Sequence, residues 1–154
     1  MSLESVRAYL KQWDADGRIL EFSESSATVP EAAAAVGCSE GEIAKSMSLK
    51  VKDEIIVVVT AGDMRIDNPK YKARFHTKAV LLKMDEVEEM TGHPVGGVCP
   101  FALKEGVRVY LDESLKRFDK VYPACGTRNS AIGLTLEELE RYSGSEGWVD
   151  VCKA

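Results

Sequence analysis

The chain has 154 residues, of which 45% are hydrophobic and 29% charged, and its formal net charge is -5. This is the balance of a soluble globular protein long enough to bury one core without disulfides or metals, so a single domain over residues 1–154 is expected. The negative total excludes a protein that coats nucleic acid through bulk charge, and DNA is not an expected partner.

In chain order, Ser2 to Asp16 repeats Leu3, Val6, Leu10 and Trp13 at helical spacing, and Gly17 ends the helix. Arg18 to Phe22 reads as a short strand. Thr28, Pro30 and Glu31 supply the N-cap, the first-turn proline and the first-turn acid of an alanine-rich helix that Gly37 terminates. Ser39 with Glu42 has the spacing of a second capping box. Ala44 to Val51 and Glu54 to Thr60 form two strand-like runs around Lys52 and Asp53; the second, Ile55-Ile56-Val57-Val58-Val59, is apolar on both faces and is expected at the centre of a sheet. Asn68-Pro69 opens a helix through about Arg74, Ala79 to Met84 is a strand candidate, and Asp85 is expected to cap a short acidic helix with Glu86, Glu88 and Glu89 near its positive end.

Gly92 to Pro100 shows neither period and holds three glycines and two prolines in nine residues, which marks a loop. Val107 to Leu111, Lys120 to Ala124 and Ser130 to Leu134 read as three more short strands. Thr135 with Glu138 caps a last helix that Gly144 ends, and Trp148 to Val151 reads as a terminal strand. Short strands interleaved with helices, several adjacent in sequence, predict an α+β fold: a mixed, largely antiparallel sheet surrounded by helices.

Cys38, Cys99, Cys125 and Cys152 lie far apart without a Cys-x-x-Cys pair, and the histidines are His76 and His93 alone, so neither a zinc site nor a disulfide framework is expected. Glu4 and Arg7 break the apolar run a signal peptide needs, and no stretch reaches roughly 18 apolar residues, so the expected location is the cytoplasm, with no membrane contact. Charge is unevenly spread: Arg65, Lys70, Lys72, Arg74, Lys78 and Lys83 against Asp67 give a local net of +5, leaving -10 for the rest. Two readings of this segment stand, a solvated helix face and an edge that touches phosphates.

Two places carry the chemistry. In Thr91-Gly92-His93-Pro94-Val95-Gly96-Gly97-Val98-Cys99-Pro100-Phe101, adjacent glycines offer backbone groups that no side chain screens, and the prolines stiffen the loop. A tight structural turn would use the same residues. Lys45 shares a strand face with Met47 and Leu49, so it is either half-buried near an anion or snorkelling to water from the strand end. His93 and Cys99 also have the residue types of a base and nucleophile pair.

Lys45 at a strand start, the Gly-His-Pro-Val-Gly-Gly-Val-Cys-Pro-Phe loop, and Cys125-Gly126-Thr127-Arg128-Asn129 running into Ile132-Gly133-Leu134-Thr135-Leu136-Glu137-Glu138-Leu139 together resemble the YbaK/EbsC family, which includes ProX proteins and the editing domain of bacterial prolyl-tRNA synthetases. The resemblance spans the Val29 helix to the terminal helix. It implies hydrolysis of the ester between a wrong amino acid, alanine or cysteine on proline tRNA, and the terminal adenosine of a mischarged tRNA. By the same resemblance, Lys45 lies near the adenosine phosphate, and Gly96 and Gly97 hold the aminoacyl carbonyl and the attacking water. His93, Pro94, Val98, Cys99, Pro100, Phe101, Thr127 and Asn129 would shape the pocket. Relatives often carry serine at the position like Cys99, which speaks against a covalent thiol route, and Cys125 departs from the small residues expected there. The implied partners are the charged tRNA 3′ end, with Lys70, Lys72, Arg74 and Lys78 on its backbone, and a prolyl-tRNA synthetase; no cofactor or metal is implied. The alternative from another class is a module of this fold that binds tRNA or a synthetase without hydrolysis.

Overall fold

The computed structural model describes residues 2–154. Helix α1 (Ser2–Leu10) buries Val6 and Leu10, and a 3-10 turn, Lys11–Trp13, carries it to Asp14, whose left-handed φ of 55° closes it before Gly17. A second 3-10 turn, Asp16–Arg18, takes the start of the expected strand and leaves β1 as Leu20–Glu21. Helix α2 (Val29–Val36) begins on the Thr28–Glu31 capping box and stops at Gly37, φ 86°. The Ser39–Glu42 pair closes only a 3-10 turn, Glu40–Glu42, which delivers the chain directly into β2 (Ile43–Val51).

Strand β3 (Glu54–Ala61) returns after a two-residue turn in which Lys52 has φ 56°. Then follow β4 (Arg65–Ile66), α3 (Asn68–Phe75), α4 (Met84–Thr91), β5 (Arg108–Asp112), β6 (Lys120–Pro123), β7 (Ser130–Ala131), β8 (Leu134–Thr135), α5 (Leu136–Ser143), β9 (Trp148–Val149) and β10 (Cys152–Lys153).

The main sheet runs β8-β6-β2-β3-β5-β9. Its longest pairing, β2 with β3, is antiparallel over eight residue pairs; β6 joins β2, β5 joins β3 and β9 joins β5 in parallel, and β8 closes the β6 edge antiparallel. Antiparallel ribbons β1-β7 and β4-β10 flank it. This is the α+β arrangement expected, with β3 in the interior. Val57, Val58 and Val59 are all fully buried because each face of the strand is covered. Val57, Val59, Val109 and Leu111 pack with Val6 and Leu10 of α1 and Leu139 and Tyr142 of α5. Ile56, Val58, Leu49 and Tyr110 pack with Tyr71 and Phe75 of α3.

Four local expectations are corrected. Ala79 to Met84 is not a strand: Leu81 forms one bridge to Leu49, held by Lys50 N–H to the Val80 carbonyl (2.9 Å) and Leu82 N–H to the Ser48 carbonyl (3.0 Å). Lys83, not Asp85, sits at the N-cap of α4, since the Glu86 carboxylate accepts the Lys83 N–H at 3.0 Å and is paired with Lys50 at 2.7 Å. Ser130 to Leu134 splits at Ile132-Gly133 into β7 and β8, which pair with different strands. Trp148 to Val151 likewise divides into β9 and β10, because Val151 N–H is taken by the buried Asp112 carboxylate at 2.9 Å.

Candidate active site

The two bonds from Lys50 and Ser48 to the 80–82 segment point away from β3. Backbone direction alternates along a strand, so Ser46 presents its N–H and C=O on that same side. On that side β6 pairs only with Ile43 and Ala44, and the single bridge covers Leu49. The edge of β2 is therefore open from Lys45 to Met47, and a cavity of about 320 Å³ lies against it. Its walls come from the start of α2 (Thr28, Val29), from Leu82 and Val87 at α4, and from Val95, Gly96 and Val98 of the glycine loop. That volume suits a small ligand, and among the described residues Lys45 is the only charged one in the lining.

Lys45 is half-buried, and its ammonium donates to the Met64 carbonyl at 2.5 Å. Burial pushes its pKa down from 10.5, while Cys152 and the Asp63 carboxylate act the other way. Ser46, directed to the opposite face by strand alternation, buries its hydroxyl oxygen without a hydrogen-bond partner among the described residues.

The glycine loop divides its work. Gly96 lines the cavity with φ 87°, and among the described residues neither its N–H nor its C=O enters a backbone bond outside the helices and strands. Gly97 is buried, does not line the cavity, and its N–H closes a turn onto the Pro94 carbonyl at 2.9 Å. A Cβ on Gly97 would lie 2.8 Å from backbone atoms of Gly126 and Thr127, so the missing side chain is what lets the two loops meet. Gly97 serves the packing of the two loops, and Gly96 alone of the pair lines the cavity.

His93, Cys99, Pro100 and Phe101 lie behind the loop, all buried and none in the cavity lining; of the loop's expected pocket residues, Val98 lines it and Pro94 does not. His93 Nε2 must carry a proton, because its partner at 2.7 Å is the Phe101 carbonyl; Nδ1 then accepts from the Ser2 hydroxyl at 2.5 Å. Burial lowers the His93 pKa below 6.5, opposed by the bond to Phe101, and burial pushes the Cys99 thiol up to about 12. Sγ and Nε2 are 3.5 Å apart, yet a protonated thiol beside an imidazole already bonded at both nitrogens, closed off from the cavity, is a packing pair and not a nucleophile with its base.

Thr127 and Asn129 are outside the cavity lining. Thr127 donates to the Ser130 hydroxyl at 2.6 Å, and Asn129 clamps Phe22 through side chain (2.9 Å) and backbone (2.8 Å), which fixes the loop that supplies Ser130 and Ala131 to the wall. Of the basic segment, Lys70 pairs with Asp150 at 3.1 Å and the Cys152 carbonyl at 2.9 Å, and the Arg74 guanidinium lies over Phe75 and Tyr110. Lys72 and Lys78 are exposed, with no ion pair among the described residues, and none of the four lines the cavity. Sequence reasoning missed Ser46, Leu82 and Val95 in the lining; which strand edge stays open depends on long-range pairing that no local pattern encodes.

The site is thus an open stretch of a central strand with a glycine loop and a half-buried lysine around one cavity. The model of the aminoacyl-tRNA editing domain matches residues 23–142, and the chain belongs to that family. It is 53% identical over 154 residues to the uncharacterized protein YwhH of Bacillus subtilis (strain 168), covering 99% of this chain and 98% of that one. It is 30% identical over 90 residues to the proline–tRNA ligase of Bacillus licheniformis, covering 58% of this chain but only 16% of the ligase. A crystal structure described as a candidate trans-editing enzyme for prolyl tRNA synthetase superposes with a TM-score of 0.88 at 28% identity, covering 99% of this chain and 98% of that one. No described helix is long and apolar enough to cross a membrane, and no group of three or more His, Cys, Asp or Glu able to hold a metal occurs among the described residues.

Proposed function

We propose that residues 1–154 act as one trans-editing domain that hydrolyses the ester of a mischarged aminoacyl-tRNA, removing a small amino acid, alanine or cysteine, from proline tRNA. The observation that carries this reading is the cavity at the open β2 edge, where Lys45 and Gly96 share one lining in a chain of the editing family.

The chemistry asked of the site is modest. Water attacks the ester carbonyl, the carbonyl oxygen gains negative charge, the carbon–oxygen bond to the ribose breaks, and the ribose oxygen takes up the proton that the water gave up. The Gly96 N–H, fixed by a left-handed backbone and unclaimed by another carbonyl, is a preorganised dipole for the developing oxyanion. The vicinal ribose hydroxyl supplies general-base help, so the site works without a Ser-His-Asp set. Lys45 holds a phosphate after exchanging its bond from the Met64 carbonyl, and its half-buried charge strengthens that contact. The walls, from Ala32, Ile43, Leu82 and Val98, admit a small side chain and reject a large one by steric exclusion, which suits a second sieve. The partners are the charged tRNA and, through the tRNA it corrects, a prolyl-tRNA synthetase.

The test is incubation with a panel of charged tRNAs, read as release of free amino acid. Faster release from alanyl- or cysteinyl-tRNA(Pro) than from prolyl-tRNA(Pro) is expected. Binding of charged tRNA without release from any of the panel would replace this reading by the non-hydrolytic binding module.

A further inference from the structure

The large hydrophobic side chains exposed among the described residues are Leu20, Val80, Leu81, Met84 and Val95. Leu81, Met84 and Val95 line the cavity, so three of the five gather at one mouth. Met84 is 77% exposed and Leu81 56%, an unusual concentration of apolar surface at the ends of a short acidic helix and a stiff loop. Arg128 lies against Gly96, beside the cavity lining. Its Nε and Cγ lie 3.1 and 3.2 Å from the point where Gly96 would carry a Cβ, so the guanidinium stem covers the one glycine that faces the cavity. Its backbone carbonyl is held by the Ser26 N–H at 2.6 Å and by the Ser26 hydroxyl at 3.3 Å, while its side chain is exposed and forms no ion pair among the described residues. Arg18, Arg117 and Lys70, by contrast, are each committed to a carboxylate at 2.6 to 3.1 Å.

We propose that this mouth is a subsite for an unpaired, phosphate-bearing strand end, in which Arg128 joins Lys45 on the phosphate on the 5′ side of the terminal nucleoside and Leu81 with Met84 receives the apolar face of a base. A guanidinium matches phosphate oxygens two at a time, and a nucleotide offers a flat apolar face beside a charged backbone, the two chemistries that Leu81 with Met84 and Arg128 supply. Lys78 and Lys83 bracket the apolar segment in sequence and add positive charge beside it. The inference rests on the deacylase reading for its substrate, but it assigns phosphate contact to a residue at the cavity rather than to α3.

The experiment compares two alanyl esters: alanyl-adenosine, which has the scissile bond and no phosphate, and the alanylated trinucleotide CCA. Arg128→Gln and the double variant Leu81→Ser with Met84→Ser change exposed positions, so folding is retained. Each is expected to lower kcat/KM about tenfold on the trinucleotide, through KM, and less than about twofold on the nucleoside. The salt slope for Arg128→Gln on the trinucleotide should flatten by roughly 0.7, the share of one single-strand phosphate contact. Neutralising Lys70, Lys72 and Arg74 together should leave trinucleotide kinetics unchanged. Equal losses on both esters, or none on the trinucleotide, would overturn the subsite while leaving the deacylase intact. If wild type cleaves neither ester, the deacylase reading fails instead, and fluorescence anisotropy of uncharged, labelled CCA decides the subsite: binding weakened about tenfold in both variants supports it, and unchanged or absent binding overturns it.

Discussion

Gly97→Ala isolates the closest approach in the site. Gly97 has no left-handed φ, so alanine adds no backbone strain, and the whole effect is steric. The new Cβ would lie 2.8 Å from the Gly126 carbonyl carbon and from N and Cα of Thr127, all backbone atoms that cannot rotate away. Overpacking of this kind costs about 1–3 kcal/mol, which for a chain of this length lowers Tm by roughly 2–4 °C per kcal/mol. A reduced urea midpoint at unchanged m would be the equilibrium signature. Relief requires the 94–98 loop to part from the 126–128 loop, which carries Gly96 and Arg128 apart, so deacylation should fall at least about tenfold even where the variant is fully folded. Gly17→Ala is the control, since nothing lies within 4 Å of its Cβ position and no positive φ is required; it should be neutral. A Gly97→Ala protein with wild-type midpoint and wild-type turnover would refute the idea that loop contact shapes the site.

Lys45→Ala should lower single-turnover deacylation by at least about tenfold, roughly 1.4 kcal/mol of transition-state stabilisation; unchanged turnover in a folded variant removes Lys45 from the reaction. Cys99→Ser should keep most activity, and alkylating reagents should leave wild type active, because the buried thiol is held near 12 and remains protonated; a trapped aminoacyl thioester would argue the reverse. The His93 pKa is lowered in the folded chain, so the unfolded chain binds the proton first and stability falls as pH drops below the unfolded value near 6.5. Urea midpoints of wild type should therefore decline between about pH 6.5 and 5, and His93→Gln should flatten that decline; parallel curves would show that His93 does not titrate on unfolding.

Helix starts and stops were the most legible features, because capping is local chemistry: Thr28 with Glu31, Thr135 with Glu138, and Gly37 and Gly144 behave as their types require. The apolar run of β3 announced a strand covered on both faces for the same reason. Short strands were less legible, since two-residue pairings such as β7 and β8 exist only through distant partners. At the site, Lys45 and Gly96 were named from sequence, and their side-by-side placement follows from β2 and the loop meeting at one edge. Gly97, Thr127 and Asn129 were given ligand roles by the family resemblance, and each makes contacts within the protein outside the cavity lining. Arg128 and Ser46 escaped notice because an exposed arginine and a strand serine are common, and only the folded chain puts Ser46 in the cavity lining and Arg128 against Gly96.

The open stretch of β2 gives the pocket a floor of peptide groups, with Lys45 and Met47 turned to one side of it and Ser46 to the other. Such a floor is indifferent to mutation of its own side chains, because every residue but proline offers the same N–H and C=O. Electrostatic grip, hydroxyl chemistry and wall volume are thereby distributed over separate surfaces that can be altered one at a time. Under the proposed deacylase function, resizing Val87 or Val98 would change which acyl group is accepted while the polar rail beneath stays as it is.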